Sequence, residues 1–372
     1  MGFKCGIVGL PNVGKSTIFN ALTSAGAASA NYPFCTIDPN VGMVDVPDGR
    51  LDELNKIIHA QRVLPATMEF VDIAGLVKGA SQGEGLGNKF LGHIRSTDAI
   101  AHVVRCFDSS DIVHVDGGVD PLRDISTIET ELIMSDFETV ENALTRFRKL
   151  SKGGKKEIPL IIGMLEALQK HLQELKPART FELDQHIGES IEVAHAYRDC
   201  HMITAKRVVY VCNVSEELAS GDQDNQYTKL VKAHADKEGA GAVVVCGKIE
   251  EELSTLAPEE KLEMLQAMGL KEPGLNRLIR TGYSLLGLQN YFTAGEKEIR
   301  AWTISVGTKA PQAAGVIHSD FERGFICAET YRLDDLKKAG SKNKLKELGL
   351  LRLEGKEYVV QDGDVMEFRF NV

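Results

Sequence analysis

A lysine and a serine near the start of the chain follow two glycines at the spacing of a phosphate-binding loop. Residues 9–16 read Gly-Leu-Pro-Asn-Val-Gly-Lys-Ser and match the pattern G-x-x-x-x-G-K-S at every defined position. Glycines let such a loop wrap closely around phosphates, and its N–H groups point at them. Lys15 would place a positive charge at the β- and γ-phosphates, and the Ser16 hydroxyl would bind Mg²⁺. The residues predicted to bind nucleotide here are Asn12, Val13, Gly14, Lys15, Ser16 and Thr17.

Two later stretches carry residues that could complete the metal site. Thr36 lies between Pro33 and Pro39, which keep this segment from forming a helix. A threonine about twenty residues after a phosphate loop can supply the second Mg²⁺ ligand and sense the γ-phosphate. Further on, an apolar run ends at Asp72 in the pattern Asp-x-x-Gly. We expect Asp72 to hold Mg²⁺ through a water and the Gly75 N–H to contact the γ-phosphate.

The group that activates the attacking water cannot be the residue after Gly75. That position holds Leu76, whose side chain neither accepts nor donates a proton. We assign this role to His114, in the loop after the apolar run 99–107, because a neutral imidazole titrates near pH 7. The alternative is that His114 is an ordinary solvated loop histidine. Lys15, His114, Asp72 and Gly75 are therefore the predicted catalytic residues.

A second set of residues could recognise the base. The apolar run 207–213 ends in Asn-Val-Ser-Glu, where guanine-binding proteins carry Asn-Lys-x-Asp. Val214 replaces the lysine, and Glu216 replaces the aspartate that pairs with the N1 and N2 hydrogens of guanine. Asn213 can still bond adenine through N6 and N7, and the loop Cys246–Ile249, which contains Gly247, could contact the base through its backbone. These two differences from the guanine-binding pattern predict that ATP binds in preference to GTP.

Hydrophobic spacing indicates the elements that position these residues. Apolar runs before the phosphate loop, before Asp72 and at 99–107, 207–213 and 241–246 read as buried strands, which indicates a doubly wound α/β sheet. Apolar residues recur at 4-3 spacing from Ile133 to Phe147 and from Ile161 to Leu175, on either side of a basic run, Lys149–Lys156. This predicts an antiparallel helical hairpin. An ordinary packed helical subdomain is the alternative.

Composition limits the class of protein. The 372 residues carry a net charge of −10, which argues against a body that binds nucleic acid over its whole surface, although basic runs such as Lys149–Lys156 and Lys337–Lys346 could contact phosphate locally. There is no apolar run of 18 residues and no leader-like N-terminus. The seven cysteines include no C-x-x-C pair. These features predict a cytoplasmic protein.

Taken together, the motifs resemble the YchF (Obg-like ATPase) branch of the Obg-related translation-factor GTPases. The resemblance rests on the phosphate loop, Asn-Tyr-Pro-Phe-Cys-Thr36, Asp72-Ile-Ala-Gly-Leu-Val, Gly83-Glu-Gly-Leu-Gly and Asp98-Ala-Ile-Ala-His-Val-Val-Arg, and it covers essentially the whole chain. It implies a Mg²⁺-dependent ATPase with a helical insertion and a C-terminal β-grasp (TGS) domain, acting on ribosomes. Both ribosomal subunits would be contacted through RNA by the helical arm and the TGS domain.

The resemblance also implies a division into domains. Residues 1–120 and 205–270 would form the P-loop nucleotide-binding domain, 121–204 the helical insertion, 271–286 a linker and 287–370 the TGS domain. Two other functions stay open on the sequence. One is a GTPase of the Obg class, and the other is a nucleotide-gated adaptor that binds ribosomes or RNA and hydrolyses nucleotide only incidentally.

Overall fold

The computed structural model of the chain describes residues 3–27, 40–73, 86–109, 118–153, 155–187, 190–220 and 222–371. Of the residues predicted to act, Thr36, Gly75 and His114 lie outside these ranges, as does Leu76. The chain divides into two compact units. The first comprises Met1–Met43 and Glu69–Leu278, and the second comprises Val44–Met68 and Ile279–Val372.

The described chain contains strands and helices in both of its units. The strands are β1 (Phe3–Val8), β2 (Val41–Asp45), β3 (Val63–Leu64), β4 (Thr67–Asp72), β5 (Ala99–Arg105), β6 (Arg207–Asn213), β7 (Gly241–Val245), β8 (Leu288–Ala294), β9 (Ile299–Ser305), β10 (Phe325–Arg332), β11 (Arg352–Glu354) and β12 (Asp364–Phe370). The helices are α1 (Lys15–Ala27), α2 (Arg50–Ile58), α3 (Leu86–Arg95), α4 (Pro121–Leu150), α5 (Glu157–Gln173), α6 (Asp184–Ile187), α7 (Ile191–Asp199), α8 (Gln226–Glu238), α9 (Gly247–Thr255), α10 (Pro258–Ala267), α11 (Gly274–Leu285), α12 (Ala310–Ile317), α13 (Ser319–Arg323), α14 (Leu333–Ala339) and α15 (Lys342–Glu347).

The sheet of the first unit has the strand order β2-β4-β1-β5-β6-β7. β1, β5, β6 and β7 pair in parallel, with Ile7 opposite Ala101 and Arg105 opposite Asn213. Every residue of β5 is buried, which suits a central parallel strand covered on both faces. The carboxyl ends of β1, β5 and β6 therefore meet at one edge, where ligands bind in open α/β sheets. The predicted α/β sheet with a phosphate loop is confirmed.

The helical segment between β5 and β6 has its own core. α4 begins with Pro121 after Asp120, whose carboxylate accepts a hydrogen bond from the Arg123 N–H and caps the helix. The apolar positions of the 4-3 repeats pack between α4, α5 and α7, and the buried ones in the repeats are Ile133, Val140, Leu144, Ile161, Leu165, Leu168 and Leu172. Leu175 departs from the repeat. It lies beyond the end of α5, in the left-handed backbone region, and is 59% exposed.

The second unit is built on a sheet with the order β11-β10-β12-β8-β9-β3. β8 pairs antiparallel with β9 and parallel with β12, and α12 and α13 cover a core that includes Tyr291, Ala313 and Met366. The segment Val44–Met68 belongs to this unit, because β3 adds a short parallel edge next to β9 and α2 packs there. The compact units thus divide the chain differently from the sequence-based domains, which placed residues 44–68 with the phosphate loop. Among the described residues, no helix is both long and apolar enough to cross a membrane.

Candidate functional site

The phosphate loop joins β1 to α1 and needs its glycines for contact with the protein itself. Gly9 has φ +154°, and a Cβ there would lie 2.5 Å from the Val103 carbonyl oxygen of β5. Gly14 has φ +96°, and its Cβ would lie 2.2 Å from Nδ2 of Asn213. Both positions favour glycine because L side chains rarely adopt such φ values and because no space is left for a Cβ. The loop is therefore packed against the ends of β5 and β6.

Lys15 and Asp72 carry opposite charges that attract each other, with Lys15 buried and Asp72 half-buried. Lys15 is 8% exposed, and its Nζ donates to the Leu10 carbonyl oxygen at 2.7 Å. Burial lowers the pKa of Lys15, and the nearby Asp72 only partly opposes this. Burial likewise raises the pKa of Asp72 against the attraction of Lys15. Desolvation thus outweighs the attraction between the two charges, as it does when buried ions lack sufficient partners.

The oxygens at this edge suit a hard cation. Oδ1 of Asp72 is buried and has no hydrogen-bond partner among the described residues. Ser16, on the first turn of α1, is exposed. A carboxylate and a hydroxyl next to a phosphate loop are the oxygen ligands that Mg²⁺ takes together with water and phosphate. The donor set present in the described residues therefore fits Mg²⁺.

Asn213 ties the phosphate loop to the end of the sheet. Its side chain is buried, and Nδ2 donates to the Val13 carbonyl oxygen at 2.9 Å. Its Oδ1 accepts from the Gly247 N–H at 3.0 Å. One amide thus bridges two loops, a role that the sequence pattern did not reveal. Contact of Asn213 with the base stays a prediction.

A cavity of about 700 Å³ adjoins the phosphate loop. It brings together seven residues predicted to bind nucleotide, which are Asn12, Gly14, Thr17, Asn213, Val214, Glu216 and Gly247. Val13, Lys15 and Ser16 lie in the loop beside it rather than in its lining. The lining also includes Cys246 and Lys248, from the loop that was expected to contact the base. Sequence reasoning missed six lining residues, namely Phe107, Asp108, Ser109, Ser215, Glu217 and Glu251.

Phe107 is the aromatic side chain of this cavity lining. The Arg105 guanidinium carbon lies 4.8 Å from the centre of its ring, and Arg105 Nε donates to the Phe107 carbonyl oxygen at 3.1 Å. The buried Arg105 therefore fixes both the ring and the backbone at the end of β5. A signal was available in the sequence, because Phe107 ends an apolar run at the edge where ligands bind.

The groups near the predicted base position are engaged within the protein. The Val214 N–H donates to the Val245 carbonyl oxygen at 3.0 Å, and the Gly247 N–H is bound by Asn213. The Glu216 carboxylate accepts from Lys248 Nζ at 2.5 Å. Both of these side chains are more than half exposed. A base that binds to these residues must therefore either use their remaining hydrogen-bonding groups or displace the hydrogen bonds that they already make.

Comparison with known proteins agrees with this architecture. A family model described as 50S ribosome-binding GTPase matches residues 4–142, and a YchF C-terminal model described as a protein of unknown function (DUF933) matches residues 288–371. The chain is 56% identical to the ribosome-binding ATPase YchF of Haemophilus influenzae and 53% identical to that of Bacillus subtilis, in both cases over the full length of both chains. The chain belongs to the YchF family.

Solved structures show the same fold. The YchF GTPase of Schizosaccharomyces pombe superposes with a TM-score of 0.86 at 40% identity, covering 99% of this chain and 98% of that one. A GTP-binding protein of Pyrococcus horikoshii superposes with a TM-score of 0.62 at 18% identity, covering 99% and 100% of the two chains, and at that identity it shows the fold alone.

Proposed function

We propose that this chain is a Mg²⁺-dependent ATPase that prefers ATP to GTP and whose nucleotide state controls its association with ribosomes. The observation that carries the proposal is the cavity in which the phosphate loop meets the segment Asn213-Val-Ser-Glu216. Bacterial relatives more than half identical over their full length are named ribosome-binding ATPases. The cytoplasm is the compartment where such a protein would meet ribosomes.

The phosphate-side residues have separate roles in this proposal. Lys15 binds the β- and γ-phosphates when its Nζ leaves the Leu10 carbonyl oxygen, and the phosphates offset the cost of burying its charge. Ser16 and Thr36 would bind Mg²⁺ directly, and Asp72 through a water. Mg²⁺ held by these residues would supply positive charge that stabilises the charge developing on the phosphates. The Gly75 N–H would contact the γ-phosphate.

His114 is proposed to position or deprotonate the attacking water, because Leu76 cannot do so. Its test separates chemistry from binding. His114→Ala should lower kcat with little change in the affinity for ATP. An unchanged kcat would remove His114 from the mechanism.

The domains of the sequence-based division carry the proposed partner contacts. Residues 1–120 and 205–270 would bind nucleotide, the insertion 121–204 would form an arm, and the domain 287–370 would follow a linker at 271–286. The arm and the C-terminal domain each carry a basic run, Lys149–Lys156 and Lys337–Lys346, that could contact the RNA of the two ribosomal subunits.

Purified protein tests the nucleotide assignment directly. Lys15→Ala and Ser16→Ala should each abolish ATP hydrolysis, because one removes the charge on the phosphates and the other removes a metal hydroxyl ligand. Circular dichroism should show that both variants keep their fold. Hydrolysis at the wild-type rate by either folded variant would refute the assignment.

A GTPase is the second candidate, because the Schizosaccharomyces pombe relative and the matching N-terminal family model are both described as GTPases. Equilibrium titration of ATP and GTP with Mg²⁺ separates the two candidates. A buried polar edge left unpaired costs about 1–3 kcal/mol, so we expect GTP to bind about tenfold to a hundredfold more weakly than ATP. GTP binding as tight as ATP binding would make the GTPase the correct function.

A further inference from the structure

Glu216 and Lys248 form an ion pair at the rim of the nucleotide cavity. Glu216 is the residue of Asn213-Val-Ser-Glu216 whose side chain could recognise guanine, and the sequence motifs gave the Lys248 side chain no role. Lys248 lies on the first turn of α9, directly after Gly247, and Glu216 follows the end of β6. Lys248 Nζ and Glu216 Oε1 are 2.5 Å apart, and both residues line the cavity. The two side chains are 67% and 54% exposed. They can therefore rearrange when a ligand enters.

Guanine and adenine require different hydrogen-bonding groups from such a pair. Guanine presents N–H donors at N1 and N2, and its recognition requires a carboxylate that can accept from both. Lys248 holds three donors and no acceptor, and its bond to Oε1 takes up one of the two carboxylate oxygens that guanine would need. Adenine carries an acceptor at N1 and a donor at N6. An ammonium group beside a carboxylate offers a donor and an acceptor, which matches that edge.

We propose that Lys248 determines base specificity: it engages the Glu216 carboxylate, withholds it from guanine, and presents a donor that suits N1 of adenine but not the N1–H of guanine. The inference rests on the proposed preference for ATP and names a residue that enforces it. Removing the ammonium group should free the Glu216 carboxylate. The carboxylate could then accept hydrogen bonds from guanine, as the aspartate of guanine-binding proteins does.

Lys248→Met tests this with little change in side-chain size. Exposed ion pairs are weak, so we expect the Kd for GTP to fall by only about twofold to fivefold. The Kd for ATP should stay the same or rise. Lys237→Met is the matched control, since Lys237 is an exposed lysine of α8 that is not among the cavity-lining residues. It should leave both Kd values unchanged.

Glu216→Gln completes a double-mutant cycle. If Lys248 acts through the carboxylate, Lys248→Met should no longer tighten GTP binding in the Glu216→Gln background, and the effect in the wild-type background should shrink as salt rises. Equal Kd values for GTP in Lys248→Met, Lys237→Met and the wild type would overturn the inference.

The same titrations distinguish this failure from failure of the proposed function. A wild-type protein that binds GTP as tightly as ATP contradicts the ATPase assignment, whatever Lys248 does. A wild-type protein that prefers ATP, with no response to Lys248→Met, keeps the assignment and rejects the role of Lys248.

Discussion

The side chain of Asn213 shows how one residue can affect nucleotide binding through contacts within the protein. Because its amide bridges the Val13 carbonyl oxygen and the Gly247 N–H, it holds the phosphate loop and the cavity wall together. We predict that Asn213→Ala leaves these buried groups unpaired, at about 1–3 kcal/mol each, and raises the Kd for ATP and for GTP by the same factor, about tenfold or more. Equilibrium titration of both nucleotides measures this.

Equal weakening of ATP and GTP binding would distinguish the bridging role of Asn213 from recognition of the base. If Asn213 mainly read adenine, Asn213→Ala would weaken ATP binding and leave GTP binding nearly unchanged. Asn343→Ala is the control, because Asn343 is an exposed asparagine of α15 in the second unit. A selective loss of ATP binding would show that the contacts with Val13 and Gly247 matter less than contact with the base.

His102, in the middle of β5, makes the first unit sensitive to acid. The side chain is 5% exposed, and burial, reinforced by the charge of Arg179, lowers its pKa to about 3. In the unfolded chain the imidazole titrates near its ordinary value of 6.5, so the unfolded state binds a proton that the folded state does not. Stability is therefore lost as pH falls from about 6.5 towards 3, at up to about 1.4 kcal/mol per pH unit.

We predict that His102→Phe reduces this loss. Between pH 7.5 and pH 5, the free energy of unfolding should fall by about 2 kcal/mol less in His102→Phe than in the wild type. Urea unfolding followed by circular dichroism at both pH values gives the comparison. An identical pH dependence in the two proteins would contradict the conclusion that His102 is buried in its neutral form.

The sequence predicts a residue's role well when the evidence lies within a few neighbouring positions. The phosphate loop is an example, since eight consecutive residues define both its backbone and its chemistry. The bridging role of Asn213 depends on partners 200 and 34 residues away, and no local pattern records those contacts. The ion pair of Lys248 was missed for the same reason, because its partner Glu216 lies 32 residues away.

Helix α3 follows the segment that contains Gly75 and contacts the helical arm. It begins at Leu86, directly after the glycine-rich stretch that contains Gly75. Near its other end, Arg95 Nη2 donates to Ser135 Oγ at 3.1 Å and to Thr139 Oγ1 at 2.9 Å on α4. A shift of α3 when ATP is hydrolysed would therefore be transmitted to the arm through the hydrogen bonds of Arg95.

We predict that Arg95→Ala uncouples the arm from the nucleotide. Affinity for ATP and basal hydrolysis should change less than twofold, whereas the difference in ribosome association between the ATP-bound and ADP-bound protein should fall about fivefold or more, within the usual range of coupling energies. Co-sedimentation with each nucleotide measures this, and Arg323→Ala, an exposed arginine of the second unit, is the control. An unchanged difference between the two nucleotides would exclude Arg95 from the coupling.

Elements with strong periodicity were predictable, and short non-local ones were not. The 4-3 spacing predicted α4 and α5, because an amphipathic helix repeats its signal over several turns. β3 has only Val63 and Leu64, and its pairing with β9 joins residues that are 236 positions apart in the sequence. Two residues carry no recognisable period, so the place of Val44–Met68 in the second unit could not be predicted.

Across the molecule, the described lysines of the two basic runs differ in whether they form ion pairs. In the run Lys337–Lys346, Lys337 bonds Glu53 at 2.7 Å, and Lys342 contacts Glu329 and Glu367. We call these two lysines the paired lysines. Three further lysines of that run are exposed and make no ion pair among the described residues; these C-terminal lysines are Lys338, Lys344 and Lys346. The corresponding arm lysines are Lys149, Lys155 and Lys156, which are also exposed.

We predict that reversing the charge of the arm lysines, or of the C-terminal lysines, weakens ribosome association and leaves basal ATP hydrolysis normal. Each lysine that contacts phosphate should contribute about one unit to the slope of log affinity against log salt, so each triple change to glutamate should reduce that slope by up to about three. Methionine at both paired lysines is the matched control, because their charge is already neutralised within the protein. It should leave the salt slope unchanged. Wild-type co-sedimentation by both triple variants across a salt series would show that these runs are solvated surface and that the partner binds elsewhere.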